Sequence, residues 1–215
     1  GADVTFTSSS DTITFGTANI LLANRSDLAV NTGAGGGDIA VVAITGNSVE
    51  DVTLNAGAGN VTVGVIGAVA AQINAVTLSG ATINLGGAIN TDNDGVDAGD
   101  VDINGNVALG DPVTIDTSAG DGTVNISGTV DNAQAFAISS GAGAVGIGGN
   151  IGTGTALTSL TINAAGTGAI TISGDIGAGG VGVTAATAIG NAATTQLTLD
   201  GTVYNTDGTQ TYTAA

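Results

Sequence analysis

Apolar and polar residues alternate in short bursts along the whole chain. Val52-Thr53-Leu54, Val61-Thr62-Val63, Val76-Thr77-Leu78, Val101-Asp102-Ile103, Val113-Thr114-Ile115, Val124-Asn125-Ile126, Leu160-Thr161-Ile162 and Ile170-Thr171-Ile172 all read apolar, polar, apolar. Successive side chains of a strand point to opposite faces. Each burst therefore predicts a short strand with two apolar residues on one side and Thr, Asn or Asp on the other. Clusters of Gly, Ala, Asn and Asp separate the bursts and read as turns. No stretch carries a 3.6-residue period, so the expectation is an all-β chain without helices.

The bursts also recur at a longer interval. Val30, Leu54 and Leu78 stand 24 residues apart, and Ile115, Ile138 and Ile162 resume the series. Val41, Val63 and Leu85, spaced by 22, form a second series, continued by Ile103, Ile126, Ile147 and Ile172. The segments starting at Val52 (VTLNAGAGNVTVGVIG), Phe136 (FAISSGAGAVGIGGNIG) and Leu160 (LTINAAGTGAITISGDIG) read as copies of one unit. Such a unit is too small to bury its apolar face alone. Stacked copies bury it by pairing each strand in parallel with its equivalent in the next copy. The reading is a parallel β-helix (β-solenoid) of about nine coils, each of ~22–25 residues, spanning 1–215 as one domain. An irregular acidic loop is expected at about 86–100. A β-sandwich with turns every 8–12 residues fits the local spacing as well. The likeness of successive units and the scarcity of large aromatics favour the solenoid.

Composition removes most chemistry. Among 215 residues there is no Cys, His, Lys, Met or Trp, and the only basic side chain is Arg25. Asp and Glu total 18, Glu50 being the only Glu, and the net charge is −17. One Arg cannot displace counterions from nucleic-acid phosphates or hold an anionic lipid surface. Without His or Cys there is no Ser-His-Asp or Cys-His nucleophile and no ordinary zinc or haem ligand set. The longest apolar run, Val63 to Ala71, is too short to span a membrane. Disorder is disfavoured by 42% hydrophobic residues and a mean hydropathy of +0.42. The chain starts Gly1-Ala2-Asp3 rather than with Met, as a processed or trimmed chain or a piece of a longer one would.

The segments VTIDTSAGDGTVNISGTVDNAQAF and AISSGAGAVGIGGNIGTGTALTSLTINAAG resemble the repeats of filamentous-haemagglutinin-like proteins, very large bacterial surface or secreted β-helical proteins, often adhesins. The resemblance covers roughly residues 20–215 and rests on repeat form and composition. It implies a right-handed coil, an extracellular or cell-surface location and a structural or adhesive role. The tail Gly201-TVYNTDGTQTYTAA and the head Gly1-ADVTFTSSSDTITFG, joined, read as a continuous repeat. That suggests one repeat unit of a giant chain, or a subunit that stacks on itself.

The densest candidate chemistry lies at 90–102. Asn90, Asp92 and Asp94 occupy positions 1, 3 and 5 of an EF-hand-like pattern. Gly95 makes the sharp turn, and the carbonyl of Val96 falls at position 7. Position 12 is Val101 rather than Glu, with Asp100 or Asp97 as a substitute. These oxygens define a candidate Ca²⁺ loop, and a solvated acidic bulge is the competing reading. The same carboxylates are the only ones dense enough for glycoside hydrolysis. They lack an aromatic platform and a basic partner, so an enzyme is not expected.

The expected function is a non-catalytic extracellular rod that stacks end to end in a filament or giant surface protein. An adhesin stalk or passenger segment is the alternative, and a carbohydrate-active β-helix the third reading. The partners expected are further copies of the chain, with divalent cations bridging acidic rods laterally. No nucleic-acid partner and no membrane insertion are expected.

Overall fold

The structure is a computed structural model that describes all residues except 48, 92–97 and 164. It is all-β, with no helix among the described residues, and every strand pairing is parallel. The chain winds through three faces in turn, and each strand pairs with its equivalent one coil on. The first face stacks Val4–Thr7, Leu28–Asn31, Val52–Asn55, the start of Val76–Leu85, the start of Val101–Leu109, Val124–Ile126, Val145–Ile147, Ile170–Ile172 and Leu197–Leu199. Eight full turns separate the first of these strands from the last.

Continuous columns of side chains fill the interior, and each face contributes at least one. The first runs Phe6, Val30, Leu54, Leu78, Ile103, Ile126, Ile147, Ile172, Leu199. The second runs Ile13, Ile39, Val61, Ile83, Val107, Val130, Ile151, Ile176, Tyr204. The third is an isoleucine stack, Ile20, Ile44, Ile66, Ile89, Ile115, Ile138, Ile162, Ile189, closed by Tyr212. From Ile44 to Ile189 its members are at most 2% exposed. A β-branched side chain has few χ1 choices on a strand, so identical residues repeat one packing solution at every coil.

These registers correct the periodic series read from the sequence. Val30, Leu54 and Leu78 lie on the first face, but Ile115, Ile138 and Ile162 lie on the third. Val41, Val63 and Leu85 lie on the second face, whereas Ile103, Ile126, Ile147 and Ile172 continue the first. Three faces carry the same apolar-polar-apolar bursts, and the corner at 91–100 is longer than its counterparts. Spacing alone could not follow a column across that corner. Ile89–Asn90 is itself a strand, with Ile89 fully buried between Ile66 and Ile115.

Corners are closed by buried hydroxyls. Thr32 Oγ1 donates to the Gly37 carbonyl (2.5 Å), Thr91 Oγ1 to Gly99 (2.5 Å), Thr117 Oγ1 to Gly122 (2.6 Å) and Ser140 Oγ to Gly143 (2.6 Å). Each bond satisfies a carbonyl that the turn removes from the ladder. Glycine has two separate uses. At Gly57 and Gly67 it supplies the left-handed conformation (φ 55° and 68°) that the turn adopts. In the column Gly105, Gly128, Gly149, Gly174, Gly201, close approach is the reason. A Cβ on each of the last four would lie under 3.0 Å from the backbone of the glycine one coil below.

Two substitutions test this packing. Ile115→Ala should cost about 2–5 kcal/mol, against less than about 0.5 kcal/mol for Thr114→Ala on the exposed side of the same strand. Gly149→Ala should lower the denaturant midpoint, whereas Gly180→Ala, with nothing within 4 Å of its Cβ, should leave it nearly unchanged. Equal midpoints for the two alanine variants in either pair would contradict the stacking.

Candidate functional site

The acidic corner follows the third-face strand Ile89–Asn90 and leads into Val101–Leu109 on the first face. Asp92, Asp94 and Val96 lie outside the described residues. The two ends of the corner are placed. The buried bond from Thr91 Oγ1 to the Gly99 carbonyl joins them, bringing the flanking Asn90 and Asp100 to the same corner. Asn90 is half-buried and sits in register with Asp116 one coil on. Asp100 Oδ1 accepts the Thr123 backbone N–H (2.7 Å) and its hydroxyl (3.0 Å), so this oxygen is committed to the next coil. Among the described residues no group of three or more carboxylates comes together in a way that could hold a metal ion.

The use made of Asp100 recurs along the chain. Asp51 N–H donates to Asp27 Oδ1 (2.9 Å) and Ala75 N–H to Asp51 Oδ1 (3.2 Å). Asn60 N–H donates to Asp38 (2.8 Å), Ala142 N–H to Asp121 (2.6 Å) and Gly154 N–H to Asp131 (2.9 Å). Asn106 and Asn150 take the same part toward Thr129 and Asp175. In every case the side chain accepts from the backbone one coil later. Asp has the short arm this reach requires, and eight of the 14 described Asp residues, Asp3 included, are used in this way. At Asp175, the Val203 and Thr202 N–H groups (2.9 and 2.5 Å) hold the carboxyl below its ordinary value.

Glu50, the one exception, is fully buried. Its carboxylate accepts the backbone N–H groups of Arg25 (2.9 Å), Asn47 (2.7 Å) and Val49 (3.4 Å). The Asn47 amide, oriented to donate, adds to this set. A buried carboxylate surrounded by N–H donors locks its own corner to the coil below; it is not a vacant acid. Sequence reasoning passed over it. The available signal was its being the lone Glu among short Asp side chains.

Shallow depressions on the surface of the described residues include the following. One, about 320 Å³, opens at the first coil among Val4, Phe6, Phe15, Ile20, Leu22 and Leu28. A second, about 440 Å³, is floored by Gly64 and Gly86 between Val42 and Val65. The third, about 250 Å³, is a notch over Gly146 and Gly148 edged by Asn104, Asn125, Ser127, Thr171 and Ser173. None has a carboxylate among its lining residues. No family model matches the chain, and neither a curated protein nor a solved structure is similar to it.

The Asp175 carboxylate gives a pH dependence with a definite sign. Its folded pKa lies below the ordinary 3.8, so the stabilisation is present above that value and lost as pH falls through the folded pKa. The stability difference between the wild type and Asp175→Ala should be largest near neutrality and shrink as pH falls below 3.8. Denaturant unfolding across that range measures it, and a pH-independent difference would remove the carboxylate from the account.

Proposed function

We propose that the chain is a non-catalytic structural protein: a stiff, acidic β-solenoid rod whose coil-on-coil stacking extends in a filament or giant surface protein. The observation that carries this reading is the use of the chain's polar groups. Among the described residues eight Asp carboxylates bond the backbone of the following coil, and Glu50 locks a corner. Side chains spent on holding successive coils together suit a mechanical part better than a reactive centre.

An extracellular, bacterial cell-surface location belongs to the same proposal. The absence of Cys and Lys fits stability drawn from stacked strands rather than from covalent cross-links. The charge of −17 fits rods that repel one another at low salt and are bridged side to side by Ca²⁺ or Mg²⁺. Calcium at the acidic corner, held by Asn90, Asp92, Asp94, the Val96 carbonyl and Asp100, is part of the proposal and is separable from the rod itself.

Negative-stain electron microscopy of the purified 215-residue chain, with and without millimolar Ca²⁺, tests the reading. The expected images are thin rods or fibres with an axial unit of roughly 40–45 Å, about nine strand spacings of ~4.8 Å. Calcium should thicken them into bundles, and Asp100→Ala should leave the rods intact while weakening any calcium response that depends on the corner. Compact particles without a long axis would overturn the structural reading.

A further inference from the structure

We propose that the depression at the corner between the second and third faces receives a lysine side chain of a different, basic protein. The methylene stem lies along the apolar floor and the ammonium meets Asp111. The site belongs to the second to fifth coils and adds a partner that the rod reading above does not supply.

Missing side chains make this depression of about 440 Å³. Val41, Val63, Leu85 and Leu109 stack inward in register, so the residues after them, Val42, Gly64, Gly86 and Gly110, share one outward row. That row spans three coil steps, about 14 Å at ~4.8 Å each. Stacking requires Gly64, because a Cβ there would collide with the Val42 carbonyl. It does not require Gly86 or Gly110. Neither has a positive φ, and beyond their chain neighbours a Cβ would come no nearer than 3.7 Å and 3.4 Å to any atom. Side chains would fit at both positions, and their lack keeps the floor open.

The walls are apolar and the mouth carries one uncommitted charge. Val42 and Val65 flank the floor and are 45% and 36% exposed. Apart from Val69, no other large hydrophobic side chain described in the inner coils is as exposed. Of the polar lining groups, Asn84 Nδ2 donates to Thr62 Oγ1 (3.3 Å). Asp111 follows Gly110, is exposed, and its Oδ2 lies 4.0 Å from the Cβ position of Gly86. Among the described residues, every other aspartate of the inner coils accepts a hydrogen bond from the chain through its carboxylate. Asp111 accepts none.

Charge complementarity selects the occupant. At −17 the chain draws cations to its whole surface, and its own single basic side chain, Arg25, belongs to the corner between the third and first faces. A bare cation would leave the apolar floor uncovered, and an aliphatic side chain would leave Asp111 unpaired. A lysine side chain carries both parts in the order the site presents them, a methylene stem and then an ammonium. A polyamine has further ammonium groups along its length, and no lining residue is a carboxylate that could receive a second one. The chain contains no lysine, so the residue comes from another protein rather than from a second copy.

The test is a titration of the isotope-labelled full chain with the peptide acetyl-Gly-Lys-Gly-amide, followed by amide NMR shifts at constant ionic strength. Saturable shifts should centre on the amides of Gly64, Gly86 and Gly110. Asp111→Asn should weaken binding about three- to fivefold, the worth of a partly exposed ion pair. Because the Asp111 carboxylate bonds nothing else in the chain, this variant keeps the fold. Gly86→Val fills the floor and should abolish the shifts at Gly64 and Gly110, with an unchanged circular dichroism spectrum. The norleucine peptide has the stem without the charge, and the diaminopropionic-acid peptide the charge without the stem. Each should bind more weakly than the lysine peptide. Shifts that spread over the acidic surface without saturating would overturn the proposal, as would equal binding by Asp111→Asn. Spermidine binding at the same amides more tightly than the lysine peptide would also overturn it, by giving the site to a free polyamine.

Discussion

Every part of this fold answers to one distance. Parallel coils must lie one strand spacing apart, about 4.8 Å, on the faces and around the corners alike. On the faces, backbone pairing sets that spacing and like residues stack on like, as in the isoleucine column. At the corners the backbone leaves the ladder, and the spacing survives only where nothing stands between coils. The column from Gly105 to Gly201 marks such a line of approach.

Polar side chains complete what the ladder leaves open. Threonine and serine hydroxyls close corners from inside, while aspartate carboxylates reach from the outside to the next coil's N–H groups. The acidity of the chain thus has a local cause as well as a colloidal effect. Each short carboxylate is a strong acceptor suited to a donor one coil away. The sum of many such choices is a surface that keeps an otherwise apolar, glycine-rich chain dispersed. The same bonds give the stack a direction, which a ladder of symmetric contacts would not.

The apolar-polar-apolar bursts made the strands, the absence of helix and the parallel stacking legible before any coordinates. Which face each burst belongs to was not legible. Ile115 and Ile103 have the same neighbours in sequence character, and the long corner between Asn90 and Val101 erased the phase that would have told them apart. The glycine-rich unit at 52–67 turns from the first face to the second, whereas its copy at 136–152 starts on the third. Sequence likeness therefore reported turn chemistry, not position around the coil. Of the proposed calcium loop, only Asn90 and Asp100 lie among the described residues, flanking the two ends of one corner. The engagement of Asp100 with Thr123 was hidden, because the donor lies 23 residues away in sequence. Glu50 was hidden for the same reason, one of its donors being the backbone of Arg25.

A chain without cysteine admits labels only where they are placed, so a molecular ruler along one outward row tests the stacking directly. Thr5, Thr53, Thr171 and Thr198 share the outward row of the first face. Cysteines there, spin-labelled in pairs, should give pulsed-resonance distances that grow with the coils between them. The expected values are about 24 Å for Thr53 with Thr171, about 29 Å for Thr53 with Thr198 and about 38 Å for Thr5 with Thr198. Distances that failed to rise in that order, with Thr5 and Thr198 no farther apart than the inner pairs, would contradict a stacked parallel coil.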